Sequence, residues 1–127
     1  MPRPLLDEAH RTDAVNEAIS KMHPEILDEV REAIAKNDVV VVGMFGNMNV
    51  GRARGALEKA GIPFKYIGYG GYMSEWRKRL VIKMWSGWPT YPQVFVKGVL
   101  IGGADETQAA IADGSLKKRL EASSGAV

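Results

Sequence analysis

The side chains best suited to nucleophilic or redox chemistry are missing: the sequence contains no cysteine. That excludes disulfides, thiolate nucleophiles and cysteine-ligated metal or iron–sulfur sites. His10 and His23 stand apart in the N-terminal region without metal-ligand spacing, and read as solvated or locally capped histidines. Met48 offers a soft but weak thioether and reads as a gap-filling or contact methionine. What remains are residues that shape the backbone or carry positive charge. Gly46-Asn47-Met48-Asn49 precedes a helical stretch, and asparagine is a good N-cap because its amide oxygen accepts a backbone N–H. Trp88-Pro89-Thr90-Tyr91-Pro92 and Gly102-Gly103-Ala104-Asp105 punctuate the second half. Arg52, Arg54, Arg77, Lys78 and Arg79 read as a positive rim, which Glu58 and Glu75 dilute.

These residues must be held by surrounding elements. Residues Asp13 to Lys36 carry helical stripes, Ala14, Ala18 and Met22, then Ile26, Val30, Ala33 and Ile34. Pro24 suits the first turn of a second helix, where its missing N–H costs nothing. Val39 to Val42 is a β-branched run without alternation, as expected of a central strand of a mostly parallel sheet, buried on both faces. A helix is expected over Met48 to Ala60, closed by Gly61 and Pro63. A strand follows over Phe64 to Ile67, then a glycine loop, and a helix capped by Ser74 that runs to about Trp85. Gln93 to Val96 and Val99 to Ile101 form a hairpin through Lys97-Gly98. Helices are expected from Asp105 to Ala112 and from Ser115 to Glu121, with residues 123–127 frayed.

Gly51 and Gly55 lie on one helix face, which either a neighbouring element or a partner approaches closely. Tyr69, Tyr72, Trp76, Trp85 and Trp88 crowd a short span. Most are expected in the core or a groove wall, and Tyr69 and Tyr72 would suit a protein-binding edge if they flank an exposed loop.

The 127 residues fit one domain, with 46% hydrophobic and 25% charged residues. The net charge of +2 is too small to argue for nucleic-acid binding. No run of about 18 apolar residues would cross a membrane, and the N-terminus lacks an apolar signal core, so the expected location is cytoplasmic.

From Val39 to Leu120 the chain resembles the glutaredoxins, and its second half resembles the monothiol glutaredoxins. The stretch Trp85-Ser86-Gly87-Trp88-Pro89-Thr90-Tyr91-Pro92-Gln93, a short hairpin, and then Gly102-Gly103-Ala104-Asp105 carries that resemblance. It implies an α/β, thioredoxin-like (glutaredoxin) fold: a four-stranded mixed sheet flanked by helices. The corresponding division is an N-terminal helical extension over 1–37, the glutaredoxin-like domain over 38–122 and the tail.

The resemblance also implies a site. Pro92 is the counterpart of the family's cis-proline, beside which the Tyr91 backbone can pair with an extended peptide as an added strand would. In the family that peptide is glutathione. Thr90, Tyr91, Pro92, Gly103, Ala104 and Asp105 are then ligand-binding, with Asp105 meeting the γ-glutamyl ammonium and the helix start its carboxylate. The reactive cysteine's position falls on Asn47, which is also placed in the ligand site but leaves no catalytic residue. Asparagine cannot form a mixed disulfide and is a poor iron ligand. The family's lysine falls near Met44, so one carboxylate contact is missing. Arg79 matches an arginine that faces the glycine carboxylate, or else belongs to a solvated face with Arg77, Lys78 and Lys83.

The function expected is a redox-inactive binding module for a glutathione-like or peptide ligand or a protein partner, linked through the family to iron–sulfur or thiol homeostasis. No cofactor other than glutathione and no metal are expected. The alternative is a glutathione transferase-type enzyme using Asn47 or Asn49 to activate the thiol, against which the sequence shows no all-helical second domain.

Overall fold

The structure, a computed structural model, describes residues 4–122. The frayed tail expected over 123–127 lies outside the described residues. Four strands form one sheet in the order β2-β1-β3-β4. Strand β1 (Val39–Gly43) is buried at every position, as its unalternating valines require. It pairs in parallel with β2 (Lys65–Gly68) and antiparallel with β3 (Gln93–Val96), so the sheet is mixed, and only this one neighbour of β1 runs parallel. A hairpin joins β3 to β4 (Val99–Gly102) through Lys97 and Gly98, both at positive φ, as right-handed strand twist favours in a two-residue turn.

Both faces of the sheet are covered. Helices α1 (Asp13–Ser20) and α2 (Pro24–Lys36) lead in. Ile26 and Val30 of α2 join Val40, Val42, Phe95 and Ile82 of α4 (Trp76–Ser86) in one core layer. The residues assigned from sequence to an N-terminal extension therefore include a helix packed on the sheet. On the opposite face, Val39, Val41, Val94 and Val96 pack against α3 (Met48–Lys59), α5 (Ala104–Ala112) and α6 (Ser115–Ala122), through Ala53, Leu57, Ala104 and Leu116. Helix α1 buries no residue.

Two expectations require correction. Strand β2 starts at Lys65, not Phe64, and Phe64 instead packs beside the second core layer. Ser74 does not cap α4: the N-cap is Glu75, in the left-handed region at φ 55, while Ser74 Oγ accepts a hydrogen bond from Gly71 N at 3.1 Å. Of the crowded aromatics, Tyr69 joins the core, as expected of most of them, and so does not meet the condition for an exposed edge. It is buried, and its hydroxyl donates to Glu29 Oε1 of α2 at 3.0 Å. Tyr72 is exposed, while Trp76 lines a surface groove and the partly exposed Trp85 packs on the core ring of Phe95 at 5.9 Å between centroids.

Candidate functional site

The start of α3 is set by Gly46, at φ +81, and Asn47. Asn47 Oδ1 accepts hydrogen bonds from Asn49 N at 2.9 Å and Val50 N at 3.3 Å. These are helix-terminal amides that have no intrahelical partner. Gly43, at the end of β1, lets α3 approach: a Cβ there would lie 2.7 Å from Val50 Cγ1. The helix start is thus complete, and the group it presents at position 47 is a carboxamide already committed to two amides.

A second corner forms where β3 begins. The Tyr91–Pro92 peptide is cis. Tyr91 is buried, with its hydroxyl donating to the Arg79 carbonyl at 2.5 Å, and burial pushes the phenol above its ordinary pKa. Thr90 is exposed on the approach to this corner. Gly103 closes against it: a Cβ on Gly103 would sit 3.4 Å from the Pro92 carbonyl and 3.6 Å from Trp88 Nε1. The Trp88 indole N–H is buried there without a hydrogen-bond partner. Gly103 N donates to Glu106 Oε1 at 2.9 Å, which satisfies the amide that enters α5.

Arg52 joins the two helix starts. Its Nη2 donates to Asp105 Oδ1 at 2.7 Å and to Gln108 Oε1 at 2.8 Å, while Nη1 donates to Asn49 Oδ1 at 2.9 Å. Asp105 therefore has a cation on it before any ligand arrives. Within this bridge only Asn49 and Arg52 are close in sequence, at i, i+3. The partners on α5 are more than fifty positions away.

Pro92 and Gly103 are brought into contact, and Ala104 and Asp105 follow in the first turn of α5. Arg79 is not presented with them. It is 6% exposed, and its Nη1 donates to the carbonyls of Tyr69 at 2.8 Å and Ser74 at 2.6 Å. Both sequence readings of Arg79, the carboxylate contact and the solvated face, give way to an internal brace. It satisfies the carbonyls of the loop that enters α4 and is held in turn by Tyr91. Among the described residues no three His, Asp or Glu side chains gather closely enough to hold a metal ion, and no helix is long and apolar enough to cross a membrane.

Residues 51–101 match the family model described as glutaredoxin. A "glutaredoxin-like protein" of Dictyostelium discoideum is 46% identical over 106 residues, covering 84% of this chain and 86% of the relative. The chain belongs to the glutaredoxin family. Its monothiol homologues include a "probable monothiol glutaredoxin 2" of Rickettsia prowazekii, 33% identical over 101 residues, with 75% and 91% of the two chains covered. Among solved glutaredoxins, oxidized glutaredoxin 2 from Chlamydomonas reinhardtii has a TM-score of 0.67 at 25% identity, over 77% of this chain and 92% of that one. The buckwheat glutaredoxin–glutathione complex has a TM-score of 0.69 at 22% identity, over 87% and 94%, a likeness of fold. The stretch that matches the glutaredoxin family model begins at Gly51, just after the Asn47 cap and the first residues of α3, and includes Pro92 but ends at Ile101, before Gly103.

Proposed function

We propose that this glutaredoxin-family chain is a redox-inactive binding module, whose Pro92–Gly103 corner takes a glutathione-like or extended peptide ligand. One observation carries this reading. Where the family's thiol would stand at the start of α3, Asn47 uses its carboxamide oxygen to cap the helix, while the neighbouring backbone corner is fully formed. A carboxamide cannot attack a disulfide, and the sequence has no cysteine to supply a thiolate.

The ligand's main chain would pair with the backbone of Tyr91, just ahead of the ladder that begins at Gln93. Its carboxylate would lie at the α5 N-terminus, favoured by free amides and the helix dipole. An ammonium at the same end would have to compete with Arg52 for Asp105. The buckwheat relative was solved with glutathione, which supports glutathione as the first ligand to try. The iron–sulfur cluster associated with monothiol glutaredoxins does not fit here: soft thiolate ligands are absent and the Asn47 oxygen is already engaged. The module would then meet protein partners of that pathway without carrying the cluster. Transferase chemistry would require turnover with chlorodinitrobenzene, and background rate is expected.

Backbone amide NMR of the full chain titrated with glutathione tests the binding reading. Shifts concentrated at Tyr91, Gly103, Ala104 and Asp105 are expected. No shifts at millimolar ligand would overturn it.

A further inference from the structure

We infer that the cavity on the β2 side of α3 is a separate site for a small organic carboxylate with a flat apolar body. The cavity measures about 430 Å³ and lies between the end of β1, the start of α3 and the end of β2. That is within the usual range for small-molecule sites. Met44, Val50 and Tyr66 supply apolar wall, and Gly46, Gly51 and Gly68 leave the backbone bare.

Arg54 is the sole charged side chain among the described residues that line it. Its guanidinium stacks on the Tyr66 ring, with the central carbon 4.0 Å from the ring centroid. Its Nε is buried without a hydrogen-bond partner. Nε is itself enclosed, so a carboxylate in the cavity would meet the Nη edge of the guanidinium, which stacking on a ring leaves available in its plane. The other arginines nearby are satisfied differently. Arg52 holds two acceptors on α5 and Asn49 on its own helix, and Arg79 holds two carbonyls. At about 100° per residue, positions 52 and 54 lie on roughly opposite sides of α3. Arg54 therefore points away from the Pro92 corner, and Tyr91, Pro92, Gly103 and Asp105 do not line this cavity, although Asn47, at the helix start, borders it.

Benzoate is the probe: a planar ring, one carboxylate, no ammonium. Titrated into the labelled full chain, it is expected to give saturable amide shifts at Gly46, Gly51, Arg54 and Gly68. Benzamide, the neutral isostere, is expected to bind about tenfold more weakly or worse, the value of a charge-assisted hydrogen bond. Arg54→Met should cause a similar loss. Gly51→Leu provides a second variant that keeps the fold. No atom lies within 4 Å of a Cβ at Gly51, so the new side chain enters open space at the cavity wall. Its melting temperature should hold or rise, since leucine is the better helix former, while benzoate binding falls. The inference is overturned by the absence of saturable shifts at millimolar benzoate, by equal binding of benzamide, by unchanged binding in Arg54→Met, or by shifts confined to Tyr91, Gly103 and Asp105.

Discussion

The Pro92 corner and the start of α3 both have their backbone geometry in place, yet they differ in what that geometry can do. At the corner, shape rests on residues without reactive groups: a cis peptide before Pro92, Gly102 at φ +120, and Gly103 pressed against the Pro92 carbonyl. The proposed recognition surface there is made from backbone, so it depends on residues that shape the chain and not on one reactive atom. At the start of α3, Asn47 provides a sound helix cap, but several residue types can cap a helix, whereas thiol chemistry depends on one sulfur atom. The helix start accommodates a carboxamide at position 47, and that carboxamide carries no thiol.

The sharpest way to break this contrast is to return the sulfur. Asn47→Cys should create a thiol whose pKa falls below the free value of about 8.5, because helix N-terminal amides stabilise the thiolate. The pH dependence of its alkylation by iodoacetamide would measure this. A thiol titrating at the ordinary value would mean that the start of α3 is not poised as a glutaredoxin site. The substitution should also cost roughly 1 kcal/mol of stability through the lost cap.

An effect on stability alone is expected beneath the corner. Arg79→Met would strip the carbonyls of Tyr69 and Ser74 of their donor and should destabilise the fold by about 2–4 kcal/mol, read by chemical denaturation. An unchanged midpoint would return Arg79 to the solvated face. Alkali probes the same region. Burial raises both the Tyr69 and Tyr91 phenols, with the hydrogen bond to Glu29 adding to the shift at Tyr69. The folded state therefore holds their protons more tightly than the unfolded chain. Their contribution is complete below the unfolded value of about 10 and is lost as pH rises above it. The melting temperature should fall on that limb, less steeply in Tyr91→Phe.

The smallest change in stability is expected from Arg52→Gln. The ion pair with Asp105 is exposed, so its loss should cost less than about 1 kcal/mol. Glutathione affinity should rise a few-fold, because Asp105 would be freed for the ligand's ammonium. A fall in affinity would make Arg52 part of the recognition surface.

Much of this was legible along the chain. The valine run predicted a strand buried on both faces, Asn47 predicted a cap, and Lys97-Gly98 predicted the hairpin turn, because each depends on near neighbours in sequence. Arg79 was hidden among Arg77, Lys78 and Lys83. Only the folded loop, entering α4 through a left-handed Glu75, brings two carbonyls onto it. The Tyr69 hydroxyl's partner was hidden for the same reason, since Glu29 lies on another helix, forty positions away. The Arg52–Asp105 bridge likewise couples two helix starts that no local pattern relates. The chain announced its backbone shapes, while its long-range polar pairings required the fold.

The central claim is tested most directly by a glutathione-coupled hydroxyethyl disulfide assay on the unaltered chain. Turnover at the level of the protein-free blank is predicted, because residue 47 has no sulfur and no other thiol is present. Protein-dependent turnover above that blank would contradict the account.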